Sequence, residues 1–205
     1  RKVLICCGDT SRRNVHPEDI SMRSIAGDAG AAAVISPRQG HEIYFHIESF
    51  GEMADDLLIA RGGSRAPRIA DEAGMSLCRD NYVVMDGMGV MNFTIDEVPR
   101  NIKSLLDFAK LSTSAIDHAV LHQANAMIVR TLAVKIGIPE ERVPFFSGRI
   151  GNTSSASIPV CLAEMVRTGL YEDGKFLLSG FGVGMSIASL LMDFSQVNVL
   201  GTCDL

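Results

Sequence analysis

Val120-Leu121-His122-Gln123-Ala124-Asn125, followed by Gly151-Asn152-Thr153-Ser154-Ser155-Ala156-Ser157, is the pair of stretches on which the reading of this chain turns. His122 comes directly after an apolar run, Ala119-Val120-Leu121, of the kind that forms a buried strand. Asn125 is placed to cap the helix expected after it. Asn152 follows a glycine and precedes a Ser/Thr-rich opening to another helix. Each polar side chain therefore stands where a strand or turn gives way to a helix, the edge at which open α/β sheets build sites. A neutral imidazole offers one N–H and one lone pair, and a carboxamide offers N–H donors that never titrate. Together they can hold a carbonyl oxygen on its way to an enolate.

Working outward, Val98, Ile102, Leu105, Leu106 and Ala109 fall on one helical face, with Pro99 near the start of that run. Ile116 to Leu121 is the strand carrying His122, and His118 lies on the same strand face. Met127 to Ile136 reads as a helix stopped by Gly137 and Pro139. Val143 to Phe146 is expected as a short strand. Thr153 to Thr168 is expected as a helix, with Pro159 imposing a kink or a late start and Gly169 as its C-cap. Its first turn aims N–H groups back towards Asn152, a favourable place for developing negative charge. Lys175 to Leu178 and Met185 to Phe194 read as a hairpin around Ser179-Gly180-Phe181-Gly182-Val183-Gly184. The order after residue 92 is then α-β-α-β-α-β-β, a layered α/β domain with a mixed sheet. Upstream, Lys2 to Gly8 is a strand, and Asp9 to Ser24 a loop around His16-Pro17. Gly27 to Ile35 is a tight turn feeding a buried strand. Residues 37 to 81 are the least regular, with a strand at Ile43 to Ile47, a loop at Gly62 to Pro67, and His41 and His46 as surface or loop histidines.

The chain has 205 residues, 47% of them hydrophobic, enough for one sizeable domain or two small ones with a substantial core. A formal charge of −5 argues against a nucleic-acid partner, which demands a basic face. No apolar run reaches the length of a membrane span, and no signal peptide is recognisable, so a cytoplasmic, non-membrane protein is expected. The five cysteines, Cys6, Cys7, Cys78, Cys161 and Cys203, contain no C-x-x-C pair and fit a reducing compartment. No third ligand accompanies His118 and His122, and no carboxylate or cysteine cluster accompanies His41 and His46, so no metal is expected. The chain opens on Arg1 and runs directly into an apolar strand, as a fragment of a longer protein would.

His-Gln-Ala-Asn at 122–125, Gly-Asn-Thr-Ser-Ser-Ala-Ser at 151–157 and Gly-Phe-Gly-Val-Gly at 180–184 together resemble the C-terminal half of β-ketoacyl-acyl-carrier-protein synthase III, a thiolase-fold family. Gly27-Asp28-Ala29-Gly30-Ala31, Met85-Asp86-Gly87 and Val98-Pro99-Arg100 also resemble family stretches. The resemblance implies a thiolase-like layered fold with a mixed five-stranded sheet flanked by helices. Residues 1–36 would be the last strands of the N-terminal half, 37–84 a connector, and 85–205 the C-terminal half.

It also implies a reaction: a cysteine takes an acyl group from acyl-coenzyme A, malonyl-carrier protein loses carbon dioxide, and the enolate attacks the acyl-cysteine. By that resemblance His122 and Asn152 are catalytic and bind the malonyl thioester oxygen. The backbone of Val183 lines the oxyanion hole. Gly87, Ala124 and Asn125 line the pantetheine tunnel, and Gln123, Ala124, Asn125, Ala126 and Met127 meet the acyl carrier protein. An amide rather than a second histidine points to the chain-initiating branch, and no cofactor beyond the two substrates is implied. The whole protein is expected to be a homodimer in fatty acid or related polyketide biosynthesis. None of the five cysteines has the family nucleophile's surroundings, so the nucleophile is expected upstream of Arg1 and this stretch alone to be inactive. Met127 replaces a frequent Arg, and Ile187-Ala188 a frequent Trp-Gly. The other function class is a thiolase-fold binding or interaction domain without chemistry.

Overall fold

The computed structural model describes residues 1–37, 40, 42–64, 66–70 and 77–203. His41 and Arg65, part of the stretches singled out above, lie outside the described residues. Two strands come first, β1 (Val3–Thr10) and β2 (Asp28–Ile35), paired antiparallel from Val3 opposite Ile35 to Thr10 opposite Asp28. Between them stand a 3-10 turn and the short helix α1 (Ile20–Ile25), in a stretch expected to be loop. The helix forms because the Asp19 carboxylate accepts from the Met22 N–H at 3.0 Å, an N-cap two residues after Pro17. The second strand is present as expected but mostly exposed rather than buried. Val34 and Ile35 are 65% and 48% exposed. Apolar composition marks a strand fit for burial; burial itself needs a covering layer.

Strand β3 (Tyr44–Ser49) follows, then a small antiparallel pair, β4 (Leu57–Ile59) with β5 (Val83–Met85). The long helix α2 (Gly87–Ala109) starts where the Asp86 carboxylate accepts from the N–H groups of Met88 and Gly89. It therefore begins well ahead of the apolar face that opens at Val98, and Pro99 sits inside it rather than near its start. Lys110 ends it in the left-handed conformation, φ 54°. Next come β6 (His118–Leu121) and α3 (Ala126–Ile136), the latter capped by Asn125 and closed by Gly137 at φ 76°. A one-turn helix α4 (Ser147–Ile150) leads to α5 (Ser157–Thr168), and β7 (Lys175–Gly182) and β8 (Ser186–Asp193) complete the chain's hairpin. The late start of α5 puts Pro159 in its first turn, where a missing N–H costs no helical bond.

The principal sheet has four strands in the order β3-β8-β7-β6, with β6 and β7 parallel and the other pairs antiparallel. The sheet is mixed, as expected, but has one strand fewer than the five expected, because Val143–Phe146 forms none. The reason is a side chain more than twenty residues away in sequence. The Gln123 side chain donates to Pro144 O at 3.2 Å and accepts from Phe146 N–H at 2.9 Å, so a carboxamide takes the bonds a strand ladder would have made. Strand β3, within the stretch read as a connector, is an edge of this sheet.

Alternation along β6 and β7 divides the core in two. Ala119, Leu121 and Leu177 pack with Val98, Ile102 and Leu105 of α2 and Leu132 of α3. Val120 and Phe176, one residue out of step, pack with Cys161, Leu162 and Met165 of α5. The result is a helix-sheet-helix sandwich, which delivers the residues that follow β6 and the residues that precede α5 to one region.

Candidate active site

His122 leaves β6 at its C-terminal end, its backbone N–H bonded to Ser179 O on β7 at 2.8 Å. Its Nδ1 lies 2.6 Å from the Ser157 hydroxyl at the head of α5, and its ring meets the Phe181 ring edge-on at 5.2 Å. This half-buried setting penalises the charged imidazolium, and the pKa falls from 6.5 to about 4. The ring is neutral at pH 7, with one nitrogen engaged by Ser157. Among the described residues the other ring nitrogen makes no hydrogen bond.

Asn152 is held by its backbone on both sides. Its N–H donates to Ile25 O at 2.6 Å, and its carbonyl accepts from Gly27 N–H at 2.9 Å. The chains can approach this closely because Gly27 has no side chain: a Cβ there would lie 2.3 Å from Ile150 O. The Asn152 side-chain oxygen accepts from Ser154 N–H at 2.9 Å, so the NH2 is the end turned to other partners. Gln123, Gly151, Thr153 and Ser157, with Phe146, Ile150, Val160 and Cys161, line a void of only about 10 Å³, room for a single water. The structure thus brings the His122 loop and the 152–157 segment together through Ser157, as two sets of N–H donors beside a helix N-terminus.

The other sequence-derived residues fall in distinct places. Val183 is 69% exposed at the tip of the β7-β8 turn. Gly182 and Gly184 flank it with φ 154° and 144°, a region open to glycine. The base of the turn is fixed by paired backbone bonds with Phe50: Phe50 N–H to Met185 O at 2.7 Å and Met185 N–H to Phe50 O at 3.1 Å. Gln123 is buried and spends its amide on Leu121 O, Pro144 O and Phe146 N, which turns that side chain inward. Asn125 accepts from Ile128 N–H at 2.9 Å as a cap, and Ala124 packs against the core. Ala126 and Met127 open α3, with Met127 55% exposed. Gly87 is exposed at the first position of α2.

His118 does not join His122; its ring lies 4.8 Å from that of Phe176, tilted by 39°. His46 lies on β3, within the stretch expected as a strand, 3.3 Å from Glu48. Among the described residues no group of three or more His, Cys, Asp or Glu could hold a metal ion. The Cys161 thiol is buried in α5 and its pKa is pushed far up by that burial, so it supplies no thiolate.

Sequence reasoning assigned no role to Ser157, Phe181 or Asp9. Ser157 belonged to a quoted motif and could have been found from it. Nothing in the sequence marked Asp9, whose carboxylate accepts from Ser155 N–H at 3.0 Å across 146 residues and also from the Ser155 hydroxyl.

Residues 106–194 match the family described as 3-oxoacyl-[acyl-carrier-protein] synthase III C terminal. A β-ketoacyl-[acyl-carrier-protein] synthase III of Streptococcus pneumoniae is 33% identical over 196 residues, covering 94% of this chain and 59% of the relative. The crystal structure of a 3-oxoacyl-(acyl-carrier protein) synthase from Burkholderia xenovorans LB400 superposes with a TM-score of 0.87 at 35% identity, over 100% of this chain and 59% of that one. The priming β-ketosynthase from the R1128 polyketide biosynthetic pathway superposes at 0.81 with 28% identity, over 94% of this chain and 57% of that one. The chain spans less than two thirds of the length of each of these proteins.

Proposed function

This chain is a synthase III-like C-terminal portion of the thiolase superfamily, and from that premise we propose that it supplies the decarboxylation half of a chain-initiating β-ketoacyl-carrier-protein synthase. The substrates in this reading are acyl-coenzyme A and malonyl-carrier protein. The pathway is fatty acid biosynthesis. His122 and Asn152 donate hydrogen bonds to the malonyl thioester oxygen. As the carbon–carbon bond to the carboxylate breaks, carbon dioxide leaves and its electron pair moves into the enolate. That oxygen gains charge, and two fixed donors stabilise it without reorganising. One such donor is typically worth about 3 to 4 kcal/mol of barrier.

The observation that carries this reading is the bond between Ser157 Oγ and His122 Nδ1. In this reading the Ser157 hydroxyl is the donor to Nδ1, which puts the imidazole's single proton on Nε2, the nitrogen left for a substrate oxygen. Burial keeps the ring neutral, so it acts as a donor and not as a general acid. The Asn152 oxygen is occupied by Ser154, which leaves N–H groups as that side chain's offer.

The acyl-accepting cysteine lies outside residues 1–205 in this proposal, since none of the five cysteines opens a buried helix beside His122. The carrier protein meets the exposed start of α3 around Met127, and Val183 N–H serves the acyl oxyanion. The protein acts as a homodimer in the cytoplasm.

The test uses the protein as its gene encodes it. Malonyl-thioester decarboxylation and acyl-coenzyme A condensation are measured for wild type, His122→Ala and Asn152→Ala. Each substitution is expected to lower the decarboxylation rate about 100-fold. Unchanged rates in both would leave a thiolase-fold module that binds without chemistry.

A further inference from the structure

We propose that Asp9, near the end of β1, is a positioning residue that sets the direction of the Asn152 carboxamide. This rests on the catalytic reading of Asn152 above. The bond from Ser154 N–H to the Asn152 oxygen requires Ser154 to sit at φ 53°, in the left-handed region. A residue with a Cβ pays roughly 1 kcal/mol or more to be there. Something must hold it, and the local sequence offers no glycine at that position. The Asp9 carboxylate provides the hold. It accepts from Ser155 N–H at 3.0 Å and from the Ser155 hydroxyl, at the entry of the 3-10 turn that leads into α5. Bonds to an ionised acceptor are about twice as strong as neutral ones, and a negative charge at a helix entry is favoured.

Asp9 is itself fixed, paired with Ala29 in the β1-β2 ladder. Its carboxyl is held below the ordinary range, first by the Ser155 hydroxyl, so the acceptor stays ionised at neutral pH. Two separable anchors result. The Asn152 backbone is tied to Ile25 and Gly27, and the side chain's direction is tied through Ser154 and Ser155 to Asp9. Removing Asp9 leaves the first anchor whole and releases the second. Ser154 then relaxes to negative φ, its N–H turns away, and the Asn152 amide is free to rotate. A small misplacement of this kind costs rate rather than affinity.

The experiment has two readouts on the protein as its gene encodes it. The first is the order parameter of the Asn152 side-chain NH2 by NMR, in wild type, Asp9→Ala and the near-isosteric Asp9→Asn. It is expected to drop in both, more in Asp9→Ala, with Asp9→Asn deciding should Asp9→Ala fail to fold. The second is kinetic. Asp9→Ala should lower kcat for malonyl decarboxylation about tenfold with KM within about twofold. Acyl transfer from acyl-coenzyme A should stay within about twofold, and Asp9→Ala should add less than about twofold in an Asn152→Ala background. An unchanged Asn152 order parameter overturns the proposal whatever the kinetics. So does an Asp9→Ala effect that multiplies in full with that of Asn152→Ala. An order parameter that drops while Asn152→Ala decarboxylates at the wild-type rate sinks the catalytic reading of Asn152 instead, leaving the clamp as structure alone.

Discussion

The two-stranded sheet of β1 and β2 and the four-stranded sheet of β3, β8, β7 and β6 are built from equally apolar sequence and end up in opposite circumstances. Leu4, Ile5 and Val34 in the first are 64%, 41% and 65% exposed; Phe176, Leu177 and Leu191 on the inner strands of the second are at most 1% exposed, while its edge strand β3 leaves Phe45 and Ile47 each 65% exposed. The difference lies in what covers them. Helices α2 and α3 close one face of the larger sheet and α5 the other, whereas the small sheet is tied to the rest chiefly at one end, where Asp9 and the residues after Ile25 meet the 152–155 segment. One sheet supplies stability, and the other supplies alignment to a single loop.

That division can be broken first by truncating side chains. Leu177→Ala should cost about 2 to 5 kcal/mol in urea unfolding, since the site is sealed on all sides. Val34→Ala should stay within about 0.5 kcal/mol. Comparable losses at the two positions would mean that the small sheet is covered by something else in solution. Gly27→Ala probes the joint between the regions. Its new methyl would press on Ile150 O and cost about 1 to 3 kcal/mol, with decarboxylation lost along with it because Asn152 shifts. Full activity in that variant would show that the joint does not govern Asn152. Gln123→Leu removes the amide that replaces a strand and leaves Phe146 N–H and Pro144 O without it. A loss of about 1 to 3 kcal/mol is expected by denaturant titration.

Acid should separate the regions by order. The unfolded chain protonates His122 near 6.5 while the folded chain resists to about 4, so stability falls as pH drops across that window. His122→Gln should flatten that part of the profile. Asp9 changes stability in the same direction as pH falls, but in a lower window. Its folded pKa is depressed, so its contribution is present above the unfolded value of 3.8 and disappears only as pH falls through the lower folded value. The His122 loop therefore feels acid before the Asp9 clamp does. A profile unchanged by His122→Gln would contradict the burial of that ring.

Local chemistry was legible in the sequence wherever one element decides its own fate. The face of α2 formed by Val98, Ile102, Leu105 and Leu106 is buried as its spacing predicts. Asn125 caps α3, Gly137 and Gly169 close α3 and α5, and the glycine-rich hairpin joins β7 to β8. The mixed α/β layering follows from that order. Contacts made by side chains across long separations were not legible. Val143–Phe146 has strand-like composition, but Gln123 competes for its backbone groups. Asp19 starts a helix in a segment whose His16-Pro17 dipeptide reads as loop. At the site, the sequence singled out His122 and the 151–157 stretch separately, and the structure joins them through the bond from His122 to Ser157. The serine linking them was not assigned a part, because a hydroxyl at a helix start has a sufficient local explanation as a turn residue.

The paired bonds between Phe50 and Met185 have a practical outcome. They bolt down both sides of a turn whose tip, Val183, projects into open space beside the Phe181 that flanks the His122 ring. Bulk can be added or removed at Val183 while the main chain beneath it keeps its course. That makes the tip a natural place to vary a side chain, or to attach a probe, without disturbing the two strands below it.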